Sequence, residues 1–431
     1  MLDPRLYREE IDKIRLGLER RGAKIDLDVM VSIDIEKRKF NQQLDVLKGE
    51  RNTASEKIAQ LKRPGQDSGA AEAARIEIEK TRTIGDEIKV IQDKFDALEV
   101  RFRDLALIVP NLPHASVPDG KSSADNKVVG EWGKKFSGPK PKNHLEVGKE
   151  LGLFDFERGA KISGSGFPIY TGVGARLERA LLNFFLDTHT LHHGFTEISP
   201  PVLVNRAAMI GTGQLPKFEE DMYHCTADDL YLVPTAEVPV TNMHSNEMLD
   251  TASLPIKYTA YTTCFRREAG SWGKETRGFL RLHQFDKVEM VMFSDPTKSY
   301  EAHEHIRACA EKLLQKLGLH YRVLELCTGD LGFGAAKCYD LEVWAPSEER
   351  WLEVSSISNF EDFQARRAGI RAKFDGKATF LHTLNGSGLA TPRVLVALLE
   401  TFQTADGGFE IPEVLQPYMG GMKTITKKKK G

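Results

Sequence analysis

The chain predicts an α+β protein in which an N-terminal antiparallel coiled-coil hairpin precedes a domain built on a mainly antiparallel sheet flanked by helices. Apolar residues recur in heptads through roughly the first hundred residues. A Pro- and Gly-rich stretch follows between Val109 and about Lys161. Beyond it, short apolar strands succeed one another without the long crossover helices that a doubly wound parallel sheet needs.

Ile33, Phe40, Leu47, Ala54 and Leu61 are spaced by seven, and Leu44 and Ile58 supply the second seam position. Pro64, Gly65 and Gly69 break helices and mark a turn. Ile84, Ile88, Ile91, Phe95, Leu98, Phe102 and Leu105 then alternate by four and three. Two such helices joined by one turn form a hairpin, and roughly 35 residues per helix extend it on the order of 50 Å. So thin a core suits a lever or a probe, not an enzyme. Lys37, Arg38, Lys39, Lys48, Arg51, Lys57, Lys62 and Arg63 line the first helix, and Arg75, Lys80, Arg82, Lys89 and Lys94 the second, interleaved with acids. Most coiled-coil flanks carrying such charges are simply solvated.

At 431 residues the chain exceeds the usual single-core size, so two domains are expected. A formal charge of -2 excludes indiscriminate polyanion binding and leaves any nucleic-acid contact to a local patch. Cys225, Cys264, Cys309, Cys327 and Cys338 contain no CxxC pair, which argues against a disulfide framework or zinc knuckle and for a reducing compartment. The first residues, MLDPRLYREEIDKIR, lack the apolar core of a signal peptide, and no run approaches membrane-spanning length. The expectation is a cytoplasmic protein with no membrane partner.

In the linker, His144 stands alone, with a surface or capping role expected, and the SGSG of Ser163 to Gly166 lacks the GxxxxGK[ST] of a phosphate loop and reads as a turn. From Gly174 an amphipathic helix runs to a glycine stop at Gly194. His189, His192 and His193 near its end have no accompanying carboxylate or cysteine set, so they read as favourable helix-terminal cations and not as a metal site. A further helix is expected near Tyr300 to Gly318.

The segment from Cys264 to Phe293 reads as two strands joined by a basic, glycine-marked loop. Taken as a strand, the part after Gly278 puts Arg281, Phe285 and Glu289 on one face, a cation, an aromatic plate and a carboxylate in a row. Phosphate, purine and an amino group suit such a row. An amphipathic hairpin with a solvated charged face fits the same spacing.

FRRE from Phe265 to Glu268, a loop, then Arg281, Phe285 and Glu289 resembles motif 2 of the class II aminoacyl-tRNA synthetases. GFTEISPPVL, from Gly194 to Leu203 and including Pro201, resembles motif 1, which in that family builds a dimer interface. LNGSGLATPR, ending at Arg393, resembles motif 3, with one departure: Pro392 stands where the class pattern has Glu, which puts the geometry of the helix start in question. Four further blocks resemble the seryl-tRNA synthetase family: PTAEVPVT from Pro234, TRGFLRLHQFDKVE, CTGDLGFGAAKCYDLEVW from Cys327, and EVSSISNFEDFQARR from Glu353. With the hairpin, the resemblance spans nearly the whole chain.

The resemblance implies a class II catalytic domain that joins L-serine to ATP as seryl-adenylate, releases pyrophosphate, and transfers serine to the 3′ end of tRNA(Ser), leaving tRNA(Sec) open as a second acceptor. An anion attacking a phosphate anion needs positioning and cations. By resemblance, Arg266 meets the α-phosphate, Arg393 the γ-phosphate, Phe285 stacks on adenine and Glu268 faces its amino edge. Arg267, Val354 and Ser355 complete the ATP-binding blocks, and Glu353 and Ser356 match Mg²⁺ positions, with Arg266, Arg393 and Glu353 as the catalytic set. Thr235, Ala236, Glu237, Glu289, Asn385 and Ser387 match the serine site. A solvated strand end for the TAE segment and a metal-free turn for Glu353 and Ser356 are the plain alternatives. Implied partners are tRNA, embraced through the arm by shape, and a second copy in a homodimer. The implied domains are 1–109 tRNA-binding arm, 110–160 linker and start of the catalytic body, 161–421 catalytic domain, and 422–431 basic tail. A ligase with a non-tRNA acceptor, expected to lack the arm, and an inactive scaffold, expected to lose Arg266, Glu289 or Arg393, are the competing readings.

Overall fold

The computed structural model describes residues 1–63, 68–269 and 278–427. Two compact units emerge, one formed by Asp3–Leu18 and Ala23–Val109 and the other by Met1–Leu2, Glu19–Gly22 and Pro110–Gly431.

The first unit is dominated by α1 (Leu27–Leu61) and α2 (Ser68–Leu107). Asp26 caps α1, its side chain accepting from the Asp28 amide at 3.0 Å. Lys37 pairs with Glu99 and Lys57 with Glu77, so partner numbers run in opposite directions and the helices are antiparallel. Ile33, Leu44 and Ala54 on α1 face a seam with Ile84 and Phe102 on α2, all buried. The remaining heptad residues are half-buried, as a two-helix core requires. Gly69, expected in the turn, instead lies in the first turn of α2, while Pro64 and Gly65 fall outside the described residues.

The second unit is organised by a sheet of β1 (Lys127–Trp132), β2 (Thr196–Glu197), β3 (Ile256–Phe265), β4 (Gln284–Ser294), β5 (Tyr321–Glu325), β6 (Lys337–Ala345), β7 (Arg350–Asn359) and β8 (His382–Ala390). Their spatial order is β1-β5-β6-β7-β8-β4-β3-β2, antiparallel throughout except for the β2–β3 pair. The Pro/Gly-rich stretch thus supplies an edge strand, β1, and a short helix, α3 (His144–Leu151).

Alternation along β4 divides the two faces of the sheet. Val288, Met290 and Met292 join one large core with Leu177, Leu181 and Phe185 of α4 (Val173–His192) and Ile306 and Leu313 of α5 (Ser299–Leu317). The same core takes Val394 and Leu398 of α6 (Thr391–Thr401). Phe285, Lys287 and Glu289 therefore point the other way, where the site lies. No helix among the described residues is long and apolar enough to cross a membrane.

Candidate active site

Strand register gathers the motif residues. Phe285 on β4 stands opposite Cys264 on β3, Glu289 opposite Ser387 on β8, and Asn385 on β8 opposite Ser358 on β7. A cavity of about 620 Å³ opens over this face. Arg266, Glu268, Phe285, Glu353, Val354, Ser355, Ser356 and Arg393 line it, together with Thr235, Glu237, Glu289, Asn385 and Ser387. Ala236 and Arg267 do not. Ala236 is fully buried against Val291 and Phe293, and the Arg267 amide donates to the Asp221 carbonyl at 2.9 Å.

The two arginines are held by carbonyls. Arg266 lies 5.1 Å from the Phe285 ring and donates to the Pro234 carbonyl at 3.4 Å. Arg393 donates from Nε to the Leu280 carbonyl at 3.2 Å and from Nη1 to the Glu353 carbonyl at 2.9 Å. Pro392 does not disturb this arrangement. It sits in the first turn of α6, where an amide has no intrahelical acceptor to lose and the fixed φ of proline suits the helix.

Arg281 departs from the strand reading. β4 begins only at Gln284, after a 3₁₀ turn over Gly278–Leu280 whose Phe279 and Leu280 are buried in the core. Arg281 still reaches the cavity, where it pairs with Glu268. Lys287 takes its place in the row, pairing with Glu289. The signal for Lys287 in the sequence is its period-two position between Phe285 and Glu289.

Glu289 is 1% exposed. Its Oε2 accepts from Lys287 and from the Thr235 hydroxyl at 3.3 Å, while Oε1 has no hydrogen-bond partner among the described residues. Glu237 accepts from the Gln364 amide at 2.6 Å. Burial first, and then the Glu289 charge, push its carboxyl up to about 7. Gln364, buried and itself accepting from Thr383 at 2.7 Å, carried no sequence signal.

At the Glu353 and Ser356 pair, Glu353 is about half exposed toward the cavity and lies 3.7 Å from Arg393. Behind them the Asp340 carboxyl is pushed well above the usual range by burial and by the charge of Glu353. The Glu353 carboxylate and the Ser356 hydroxyl both line the cavity as hard oxygen donors, a set that fits Mg²⁺ shared with substrate phosphates.

His144 corrects an expectation. It is 1% exposed, opens α3, and its Nδ1 lies 3.0 Å from Glu400 Oε1. Its Nε2 stands where a Cβ on Gly278 would come within 2.6 Å, so the glycine is required there by space as well as by its φ of +61°. The basic loop between Ala269 and Gly278 and the last four residues of the tail lie outside the described residues.

Residues 218–402 match the sequence model of the tRNA synthetase class II core domain (G, H, P, S and T), and residues 1–113 that of the seryl-tRNA synthetase N-terminal domain. A serine--tRNA ligase of Chlorobium phaeovibrioides is 54% identical over 428 residues, covering 97% of this chain and 98% of the relative. Among solved structures, seryl-tRNA synthetase from Pyrococcus horikoshii complexed with ATP superposes with a TM-score of 0.90 at 37% identity, covering 100% of both chains. The cytoplasmic serine-tRNA ligase of Naegleria fowleri in complex with AMP gives 0.86 at 30%, covering 100% of this chain and 99% of that one. The antiparallel sheet and the motif residues over it are those of a class II aminoacyl-tRNA synthetase core. Within that class, the chain belongs to the seryl-tRNA synthetase family.

Proposed function

We propose that this chain activates L-serine with ATP, forming seryl-adenylate and pyrophosphate, and then transfers serine to the 3′ end of tRNA(Ser). The observation that carries the reading is the unfilled Glu289 oxygen beside Thr235 and Glu237, in one cavity with Arg266, Phe285 and Arg393. Serine offers an ammonium and a hydroxyl to complete a buried carboxylate. Alanine leaves the oxygen unmatched, and a site of this kind rejects such an analogue by about four orders of magnitude.

In this reading the Phe285 and Arg266 planes hold the adenine and α-phosphate, with Glu268 at the adenine amino edge. Arg393, fixed by its two carbonyl acceptors, neutralises the γ-phosphate. The charge each arginine supplies is preorganised, because its fork is already held when ATP arrives. Glu353 and Ser356 would hold Mg²⁺, which when bound neutralises phosphate charge. The serine carboxylate then attacks the α-phosphorus and pyrophosphate leaves. Thr235, Glu237, Asn385 and Ser387 orient the amino acid around Glu289.

The arm, residues 1–109, is read as the tRNA-binding element, the body as the catalytic domain, and the protein as a cytoplasmic homodimer formed through motif 1. tRNA(Sec) stays a candidate second acceptor. A non-tRNA acceptor is disfavoured by retention of the α1–α2 hairpin. ATP–pyrophosphate exchange with serine, threonine, alanine and cysteine in parallel, followed by tRNA charging, tests the reading. Exchange confined to serine supports it, and exchange with another amino acid alone overturns it.

A further inference from the structure

Two elements that carry different parts of the site meet a core helix at one buried carboxyl. Glu178 projects from α4, Thr391 opens α6 two residues before Arg393, and Asp286 follows Phe285 on β4. Glu178 is 4% exposed and Thr391 fully buried. The Thr391 hydroxyl touches Glu178 Oε1 and lies 3.1 Å from the Asp286 backbone carbonyl, and Glu178 Oε2 has no hydrogen-bond partner among the described residues.

A hydroxyl has one proton. Were Glu178 a carboxylate, Thr391 would face two pure acceptors and could serve only one. A protonated Glu178 removes the conflict, because it donates to Thr391 Oγ1 and Thr391 donates onward to the Asp286 carbonyl. The surroundings agree. Burial pushes the Glu178 carboxyl up to about 8, the Thr391 contact opposes this, and the Asp286 charge adds to it. The other titratable groups facing it among the described residues do not supply a cation. The Asp286 carboxyl is itself raised by burial, and accepts from Thr263 at 2.9 Å and Tyr261 at 3.1 Å. Tyr170 and Tyr261 are both raised, by burial first.

We propose that Glu178 is a positioning residue acting in its protonated form, whose proton completes a hydrogen-bond chain from α4 through Thr391 to the Asp286 carbonyl. That chain holds the Arg393 turn in register with the strand that carries Phe285. The inference rests on the reading of this cavity as an ATP site. It predicts that ATP affinity weakens as the Glu178 proton is lost, while serine itself is not involved.

The test is ATP binding to the full-length protein by calorimetry with Mg²⁺ between about pH 7 and pH 9.5, for wild type, Glu178→Gln, Glu178→Ala and Thr391→Val. Wild type should lose affinity by roughly five- to tenfold as pH passes about 8, the scale of one hydrogen bond. Glu178→Gln donates the same bond without titrating and should keep its pH 7 affinity throughout. Glu178→Ala and Thr391→Val should show the weakened value at every pH. An alkaline loss in Glu178→Gln equal to that of wild type overturns the proposal, as does no alkaline loss in wild type. Should Glu178→Ala fail to fold, the comparison of wild type with Glu178→Gln still decides. ATP binding without serine-dependent exchange counts against the functional reading alone, whereas no ATP binding at all overturns both.

Discussion

Lys287 and Glu289 form an ion pair along one face of β4 that uses only one of the two carboxylate oxygens. Lys287 is 6% exposed and Glu289 1%, so neither charge is relieved by water. A buried ion pair is costly to break, because removing one partner strands the other. Lys287→Met should therefore lower unfolding stability by about 3–5 kcal/mol, read from a denaturant midpoint at unchanged slope. Stability equal to wild type would mean that Glu289 finds another partner or a proton.

Replacing Glu289 itself separates the two substrates. Glu289→Gln keeps the shape but offers an amide where serine needs an acceptor, so kcat/KM for serine should fall by roughly two orders of magnitude. The KM for ATP should stay within about twofold. A matched rise in both KM values would show that the carboxylate shapes the whole cavity and not the amino-acid end.

Arg266 and Arg393 are charges aimed at phosphates in the proposed mechanism, and each should contribute mainly to the transition state. Arg266→Ala should reduce serine-dependent exchange by roughly two to three orders of magnitude. Arg393→Lys retains a charge but cannot keep both the Leu280 and Glu353 carbonyl bonds. A loss of at least about tenfold in exchange is expected there. Near-normal rates in either variant remove that residue from the mechanism.

Periodicity made some of this site readable and tertiary packing hid the rest. The heptads of α1 and α2 are local, and so were legible. Phe285 and Glu289 followed from alternation on one strand, but Arg281 looked like a strand position only because it lies an even number of residues before Phe285. What ends β4 before it is the burial of Phe279 and Leu280 and the Arg393 bond to the Leu280 carbonyl, 113 residues apart in sequence. Lys287 was masked by the charged character of its neighbours, since a lysine on such a strand reads as solvated. Gln364 meets Glu237 across 127 residues and Thr391 meets Glu178 across 213, contacts that no window of sequence contains. His144 looked like a linker residue because its partner, Glu400, lies at the other end of the domain's sequence.

The coiled-coil arm and the cavity belong to different compact units, which makes their roles separable. Deleting Ile33 to Leu105 and closing the gap with a short linker should leave serine-dependent exchange within a few-fold of wild type while abolishing tRNA charging. Equal loss of both activities would assign the arm a structural role.

Glu237 gives the site a pH dependence whose sign can be worked out. Its carboxyl is raised from 4.5 to about 7, chiefly by burial and then by Glu289. The folded state thus holds a proton that the unfolded chain releases earlier. The corresponding stability is fully present below about pH 4.5 and is lost as pH rises to about 7. Glu237→Gln cannot titrate, so the stability difference between wild type and this variant should shift against wild type by on the order of 3 kcal/mol between pH 4.5 and pH 8. Serine binding should run the opposite way, because an ammonium prefers the ionised carboxylate. The kcat/KM for serine should rise through about pH 7 in wild type and lose that limb in Glu237→Gln. If stability shifts as expected but the serine limb survives in the variant, Glu237 is a buried structural acid, and the ammonium is met by Glu289 alone.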